Sequence, residues 1–294
     1  MTTGVSSCIA IHNVAVATDL SPASERALQH ALAIARQFGA TVHLVHIVCP
    51  SQYVYAPDMI PTADEVAQRD FDQLLARLQR DHRLEGIKFR PWVLQGEIPD
   101  AAKDFASRQS IDLLVVGTRG RSGIPRLLLG CTAQEIFHSV HCAVLTVGPY
   151  APGAGLRPQL KRILYTTDLS HESLAAIPWV VTAVREWRAE IDVLHVCASL
   201  HAACRSQTEE VKEKIERMLG GEEHAEIRTH VLVGKPAPTV LEFAENAKED
   251  LIVLGLKPER ALYEGPFWSQ AYEIVRQTSC PVLSVRSANG HATS

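Results

Sequence analysis

No C-x-x-C pair occurs among the seven cysteines of this 294-residue chain. An odd number of thiols without paired spacing argues against a disulfide framework and against a zinc site, and it fits a reducing cytoplasm. No apolar run approaches the ~18–20 residues that a membrane helix requires. The opening segment, Met1–His12, lacks a basic stretch followed by a long apolar one, so no signal peptide is expected. Neither sign of charge dominates. Lysine and arginine number 29 and aspartate and glutamate 33, which leaves a net charge of −4 and no basic surface for nucleic acid. The phosphate-loop string G-x4-G-K-[ST] is missing, as are S-G-G-x-[DS] and H-x-G-H. Those absences remove the sequence signs of a P-loop ATPase, an ATP pyrophosphatase and a nucleotidyl transferase.

What is present is one pattern written twice. Asn13-Val-Ala-Val-Ala-Thr-Asp-Leu-Ser21 returns as Arg162-Ile-Leu-Tyr-Thr-Thr-Asp-Leu-Ser170. Asp19 and Asp168 lie 149 residues apart, as do His46 and His195. Gly96, Asp112, Gly117 and Cys142 recur 138 residues later as Gly234, Asp250, Gly255 and Cys280. Copy one is therefore 11 residues longer between His46 and Gly96, and the surplus falls in Pro50–Pro61. That segment reads as a lid over a site or as a surface excursion. The repeat sets the domains at 1–148 and 161–294, joined by a Gly/Pro-rich linker at 149–160.

Within each copy, short apolar runs alternate with amphipathic segments. In copy one the expected strands are 14–18, 42–48, 88–94, 113–116 and 143–147. In copy two they are 163–166, 192–196, 228–233, 251–254 and 282–285. Several are rich in Val, Ile and Leu throughout, as strands covered on both faces of a parallel sheet are. Expected helices are 22–38, 63–82, 99–108 and about 132–139, then 172–187, 208–219, 237–247 and 269–277. The first is bounded by Ser21 as N-cap, Pro22 and Gly39. The alternation predicts two tandem doubly wound α/β domains with right-handed crossovers.

In such sheets, ligands bind beyond the carboxyl ends of the strands where strand order reverses. Two segments of copy one fit that place. Ala17-Thr18-Asp19 ends the first strand. Val116-Gly117-Thr-Arg119-Gly120 ends the fourth, and the chain runs on through Gly130-Cys131-Thr132 into a helix. Glycines let amides approach an anion, a helix start adds free N–H groups, and Arg119, Arg121 and Arg126 add positive charge. This is the chemistry of a phosphate cradle. The alternative is a tight strand–loop–helix turn whose glycines serve packing.

The repeated T-D-x-S opening, the histidines ending strand two, and G-x2-G-x9-G after strand four resemble the universal stress protein family in its tandem form. The likeness covers 12–148 and 161–287. It implies five-stranded parallel domains of order 3-2-1-4-5, of the adenine nucleotide alpha hydrolase-like type. It also implies ATP in copy one, with Mg2+ or Mn2+ bridging the phosphates. By position, Asp19 and Ile47 would hold adenosine, and Gly117 and Gly120 the ribose and phosphate. The amides of Gly130, Cys131 and Thr132 would hold phosphate, with Ala17, Thr18, Val116 and Arg119 around them. Cys131 replaces the family's Ser/Thr, which keeps the amide and loses a hydroxyl.

Copy two departs further. Pro258 stands where copy one has Gly120, and Trp268 where it has Gly130. Proline donates no N–H, and the indole fills the phosphate approach. Copy two is expected either as a scaffold or as a site for a less charged ligand lined by Trp268, Phe267 and Tyr263. His46 and His195, each alone at a strand end, read as core-edge histidines bonded to backbone rather than as metal ligands. The functional expectation is an ATP-binding stress or signalling regulator with at most slow hydrolysis. The alternatives are a weak ATPase on the same site and a nucleotide-free assembly or ligand-binding module. The resemblance implies pairing of the last strands 143–147 and 281–285 in an intrachain pseudo-dimer, and dimerisation of whole chains. No nucleic-acid or membrane partner is expected, and the sequence does not name a protein partner.

Overall fold

The computed structural model describes residues 9–49, 63–118, 136, 139–148, 150–155, 160–199, 202–219, 226–256 and 266–286. The chain divides into two compact units. One is residues 11–158, and the other holds the rest. The first unit runs β1 (Asn13–Ala17), α1 (Pro22–Phe38), β2 (Thr41–Val48), α2 (Ala63–Arg80), β3 (Lys88–Gln95), α3 (Ile98–Arg108), β4 (Leu113–Gly117) and β5 (Ala143–Val147). Its sheet is parallel with order β3-β2-β1-β4-β5. Asn13 lies beside Thr41, and Val14 lies beside Leu113 on the other flank.

The second unit runs β6 (Arg162–Thr167), α4 (His171–Leu174), α5 (Ile177–Trp187), β7 (Glu190–Cys197), α6 (Ala202–Leu219), β8 (Ile227–Val233), α7 (Pro236–Ala247), β9 (Leu251–Leu256), α8 (Pro266–Gln277) and β10 (Val282–Arg286). The order β8-β7-β6-β9-β10 repeats that of the first unit, again parallel throughout. The expected 3-2-1-4-5 sheet is thus present twice.

The apolar strands lie where covering both faces demands them. Val14, Ala15 and Val16 of β1, and Ile163, Leu164 and Tyr165 of β6, are all buried. The edge strand β3 carries Lys88, Arg90 and Pro91, which suit an edge because proline gives no ladder N–H. At the amino end of each sheet an aspartate staples the first strand. Asp112 Oδ2 accepts the N–H groups of His12 and Asn13, both at 2.8 Å. Asp250 Oδ2 accepts those of Lys161 (2.7 Å) and Arg162 (3.0 Å).

One expected element breaks. The helix read as 172–187 is two helices, α4 and α5, with Ala175 and Ala176 between them. Pro178 has no N–H for Leu174, and its ring opposes the carbonyl four residues back, so α5 starts afresh around it. Copy one has Gln29 at the matching position, and α1 runs unbroken for 17 residues. Of the helix expected at about 132–139, only Ile136 and Ser139 are described, and both are helical.

Two short segments are held by side chains of the unit to which they belong. In the first unit, His30 Nε2–H donates to Pro152 O at 3.1 Å, and a Cβ on Gly153 would stand 3.2 Å from Gln29 Oε1. The chain after β5 therefore lies against α1. In the second unit, the Ile9 N–H donates to Thr182 Oγ1 of α5 at 2.8 Å.

Candidate functional site

The site begins at the turn between β1 and α1. Thr18, Asp19 and Leu20 leave the strand, and Leu20 takes the left-handed conformation with φ 65°. Such a conformation disfavours a branched side chain and needs fixing by neighbours. Two side chains supply this. Thr18 Oγ1 accepts the Leu20 N–H, and Asp19 Oδ1 accepts the Ser21 N–H, both at 3.0 Å. Ser21 then caps α1 by accepting the Ser24 N–H at 3.3 Å. Ser24 Oγ donates its one proton to Ser21 O at 2.9 Å, so the 3.0 Å contact between Thr18 and Ser24 has Thr18 as donor.

The rest of Thr18 is also committed. Its N–H goes to Val45 O at 2.8 Å, and its carbonyl accepts from His46 Nδ1 at 2.8 Å. A carbonyl only accepts, so His46 carries its proton on Nδ1. His46 is a buried staple that also stacks on Phe71 of α2. Thr18 therefore shapes the turn rather than reaching out of it.

The sheet brings Asp19 and Gly117 to one edge. Val16 lies beside Val115, so Ala17 and Val116 share the next row and their chains leave the sheet side by side. On the other flank Ala17 pairs with Val45, two residues before Ile47. Six sequence-predicted residues, Ala17, Thr18, Asp19, Ile47, Val116 and Gly117, thus gather at the carboxyl ends of β2, β1 and β4. Val116 is buried, and Ala17, Asp19, Ile47 and Gly117 are half-buried. Arg119, Gly120, Gly130, Cys131 and Thr132 lie outside the described residues, as does Pro50–Pro61. Beside the turn, a groove of about 600 Å³ runs between α1 and α2, lined by Thr18, Ser21, Ser24, Asp70 and Arg77 among others. Sequence reading gave no sign of this groove, because its two walls come from segments about 50 residues apart. Glu25 of α1 makes 3.1 Å ion pairs with Arg77 of α2 and with Arg83 in the turn after it.

Copy two builds the same turn. Leu169 has φ 65°, Thr167 Oγ1 accepts its N–H at 3.0 Å, and Asp168 Oδ1 accepts the Ser170 N–H at 3.0 Å. His195 Nδ1 donates to Thr167 O at 3.0 Å. Both strand-end histidines are thus the backbone-bonded, core-edge histidines expected from the sequence. Copy two also adds a bond of its own. Tyr165, which replaces Val16, is fully buried and donates its hydroxyl to Ser173 O at 2.8 Å. Burial pushes its phenol well above the usual range.

Gly255, the partner of Gly117 in the repeat, has a packing role. A Cβ there would lie 2.5 Å from Ser173 Cα and 2.6 Å from Glu172 O, so the missing side chain makes room for α4. Pro258 and Tyr263 lie outside the described residues, as do the side chains of Phe267 and Trp268. Trp268 falls in the first turn of α8.

A model of the universal stress protein family matches residues 10–148 and again 159–286. This chain belongs to the universal stress protein family. Universal stress protein MJ0531 of Methanocaldococcus jannaschii is 30% identical over 136 residues, covering 46% of this chain and 80% of that protein. Universal stress protein A homolog 1 of Coxiella burnetii is 31% identical over 137 residues, covering 46% of this chain and 94% of its own length. Each relative thus matches about half of the chain. A crystal structure of a universal stress protein from Archaeoglobus fulgidus covers 94% of this chain and 98% of its own, with a TM-score of 0.73 and 17% identity. At that identity the likeness speaks to the fold alone. No helix among the described residues is long and apolar enough to cross a membrane. Among the described residues, Cys49, Cys142, Cys197 and Cys280 form no disulfide.

Proposed function

We propose that copy one of this universal stress protein binds ATP, and that its nucleotide state governs a protein partner in a cytoplasmic stress response. The observation that carries this is the strand order. It sets the Asp19 turn and the Gly117 strand end side by side, where a doubly wound sheet reverses direction and opens a crevice. The half-buried Asp19 and Ile47 flank that crevice on the β1 and β2 side and suit an uncharged nucleoside. Gly117 opens the segment that leads to Gly120, Gly130, Cys131 and Thr132, whose amides would meet the phosphates. A divalent cation would neutralise those phosphates when bound. Thr18, His46 and Ser24 act by positioning, since their polar atoms are spent on the turn. In copy two the same turn persists while Gly255 serves packing. That supports a scaffold role for copy two and one nucleotide per chain.

Native mass spectrometry of the purified chain, followed by calorimetric titration with ATP and Mg2+, tests the reading. One ATP per chain is expected. Gly120→Pro and Gly130→Trp, which copy the residues of copy two, should abolish it, and Asp168→Ala should leave it intact. ATP retained by both glycine variants overturns the site. Failure of the wild-type chain to bind millimolar ATP overturns the function and favours the nucleotide-free module.

A further inference from the structure

Toward the amino end of the second sheet lies a set of buried ionisable groups that the proposed function does not use. Asp192 points from the middle of β7, and its side chain is only 2% exposed. Its Oδ1 accepts from Arg228 Nε at 2.9 Å and from His230 Nε2 at 2.7 Å. Its Oδ2 accepts from Arg162 at 2.7 Å and from Arg228 at 3.1 Å. Every lone-pair direction of this carboxylate is well served. The neighbouring carboxyl is not. Glu249, in the connection from α7 to β9, has a side chain with 0% exposure. Its Oε1 reaches only the outer edge of a bond to Arg162, at 3.5 Å, and its Oε2 has no hydrogen-bond partner. Arg162 is itself shared three ways, among Asp192, Glu190 at 3.4 Å, and Glu249.

A fully buried carboxylate with one distant cation and a second carboxylate beside it is costly to ionise. We propose that Glu249, buried beside the Asp192 carboxylate, is a protonation latch of the second domain, closed while Glu249 holds its proton and loosened as it ionises.

The groups that face Glu249 come from every packed element. They are Arg162 on β6, Asp192 on β7, its own neighbour Asp250, and Cys280 just before β10. Arg228 and His230 on β8 and Glu190 on β7 reach it through Asp192 and Arg162. Of these, only the Arg162 guanidinium is a cation in direct reach, and Asp192 already takes its shortest bond. Burial, then the nearby Asp192 carboxylate, push the Glu249 carboxyl up to about 8 against the pull of Arg162. Asp192 moves the opposite way. Burial alone would raise it, but the bonds from Arg228 and His230 hold it below the usual carboxylate range. The Cys280 thiol, pushed up by burial and then further by Glu249 and Asp250, stays protonated throughout.

The direction of the effect follows from proton counting. The folded domain keeps a proton on Glu249 that the unfolded chain has released above the usual carboxylate range. Folding therefore takes up a proton, and stability falls as pH rises toward the folded value. Opening of the second domain should therefore increase from pH 6 to pH 8, by at most about tenfold per pH unit for one proton, and level off once Glu249 is ionised in the folded state. Copy one supplies the control. Ile111 occupies the matching position and His43 the matching strand site, so its interior holds no acid there.

Hydrogen exchange by mass spectrometry on the full chain at pH 6, 7, 8 and 9, corrected for intrinsic exchange rates, reads this directly. In wild type, protection of peptides spanning 190–197 and 251–256 should fall steeply up to pH 8, then level off, and recover on return to pH 6. Glu249→Gln keeps the shape and cannot ionise, so its protection should be flat with pH. Glu249→Ile, which copies Ile111, gives a second variant that should also be flat. A wild type whose corrected protection does not change with pH overturns the latch. So does either variant that retains the wild-type slope.

Discussion

The two copies share their turns and differ in the lower half of their sheets. At the carboxyl end of the first strand, Thr18–Ser24 and Thr167–Ser173 share the bonds of their threonine, aspartate and serines, down to a leucine at φ 65°, and copy two adds that of Tyr165. Lower on strand two the copies part. In copy one His43 stacks on Trp92, meets Phe105 edge-on, accepts from Trp92 Nε1 and donates from Nε2 to Asn13. Burial and then Arg90 push its imidazole below the usual range, so that interior is uncharged. In copy two the matching positions hold Asp192, His230, Phe243 and Arg162, and the interior is ionic. Similar folds thus tolerate either an uncharged or an ionic interior at the same positions. The turn had less freedom, because one left-handed residue and three hydroxyls must be satisfied together.

Truncation separates the two solutions most sharply. Asp192→Ala takes a buried carboxylate from two guanidiniums that keep Glu190 as a partner and should cost about 2–3 kcal/mol in urea unfolding, whereas His43→Ala removes no charge and should cost clearly less. Equal losses would end the contrast. Gly255→Ala is of similar size. Its Cβ would press on the backbone of α4, at about 3 kcal/mol, and exchange in 163–174 should speed up while copy one stays unchanged. The staples test likeness instead. Asp112→Ala and Asp250→Ala each remove an acceptor for two N–H groups and should cost about 2 kcal/mol apiece. The caps give the smallest effect. Ser21→Ala and Ser170→Ala should each lower stability by about 1 kcal/mol, and a large inequality would show that the turns are less alike than their geometry.

Much of this was legible in the chain. Ser21, Pro22 and Gly39 bound α1 as expected, because capping is decided within a few residues. The repeat and its alternating runs gave both sheets. Pro178 signalled the break between α4 and α5, yet the apolar period around it masked the signal. Asp192 inside an apolar strand was a second sign, since a charge there must be paired. Its partners lie 30 to 57 residues away, and only the register of β6, β7 and β8 identifies them.

The sequence alone determined the doubled α/β plan, the capped turn after each first strand and the strand-end histidines, because each rests on local bonding or on periodicity. Tertiary structure alone decided that Thr18 is spent inside its turn, that Gly255 makes room for a helix, and that Glu249 lies beside Asp192. Those outcomes depend on which strands become neighbours, and burial makes each such neighbour count.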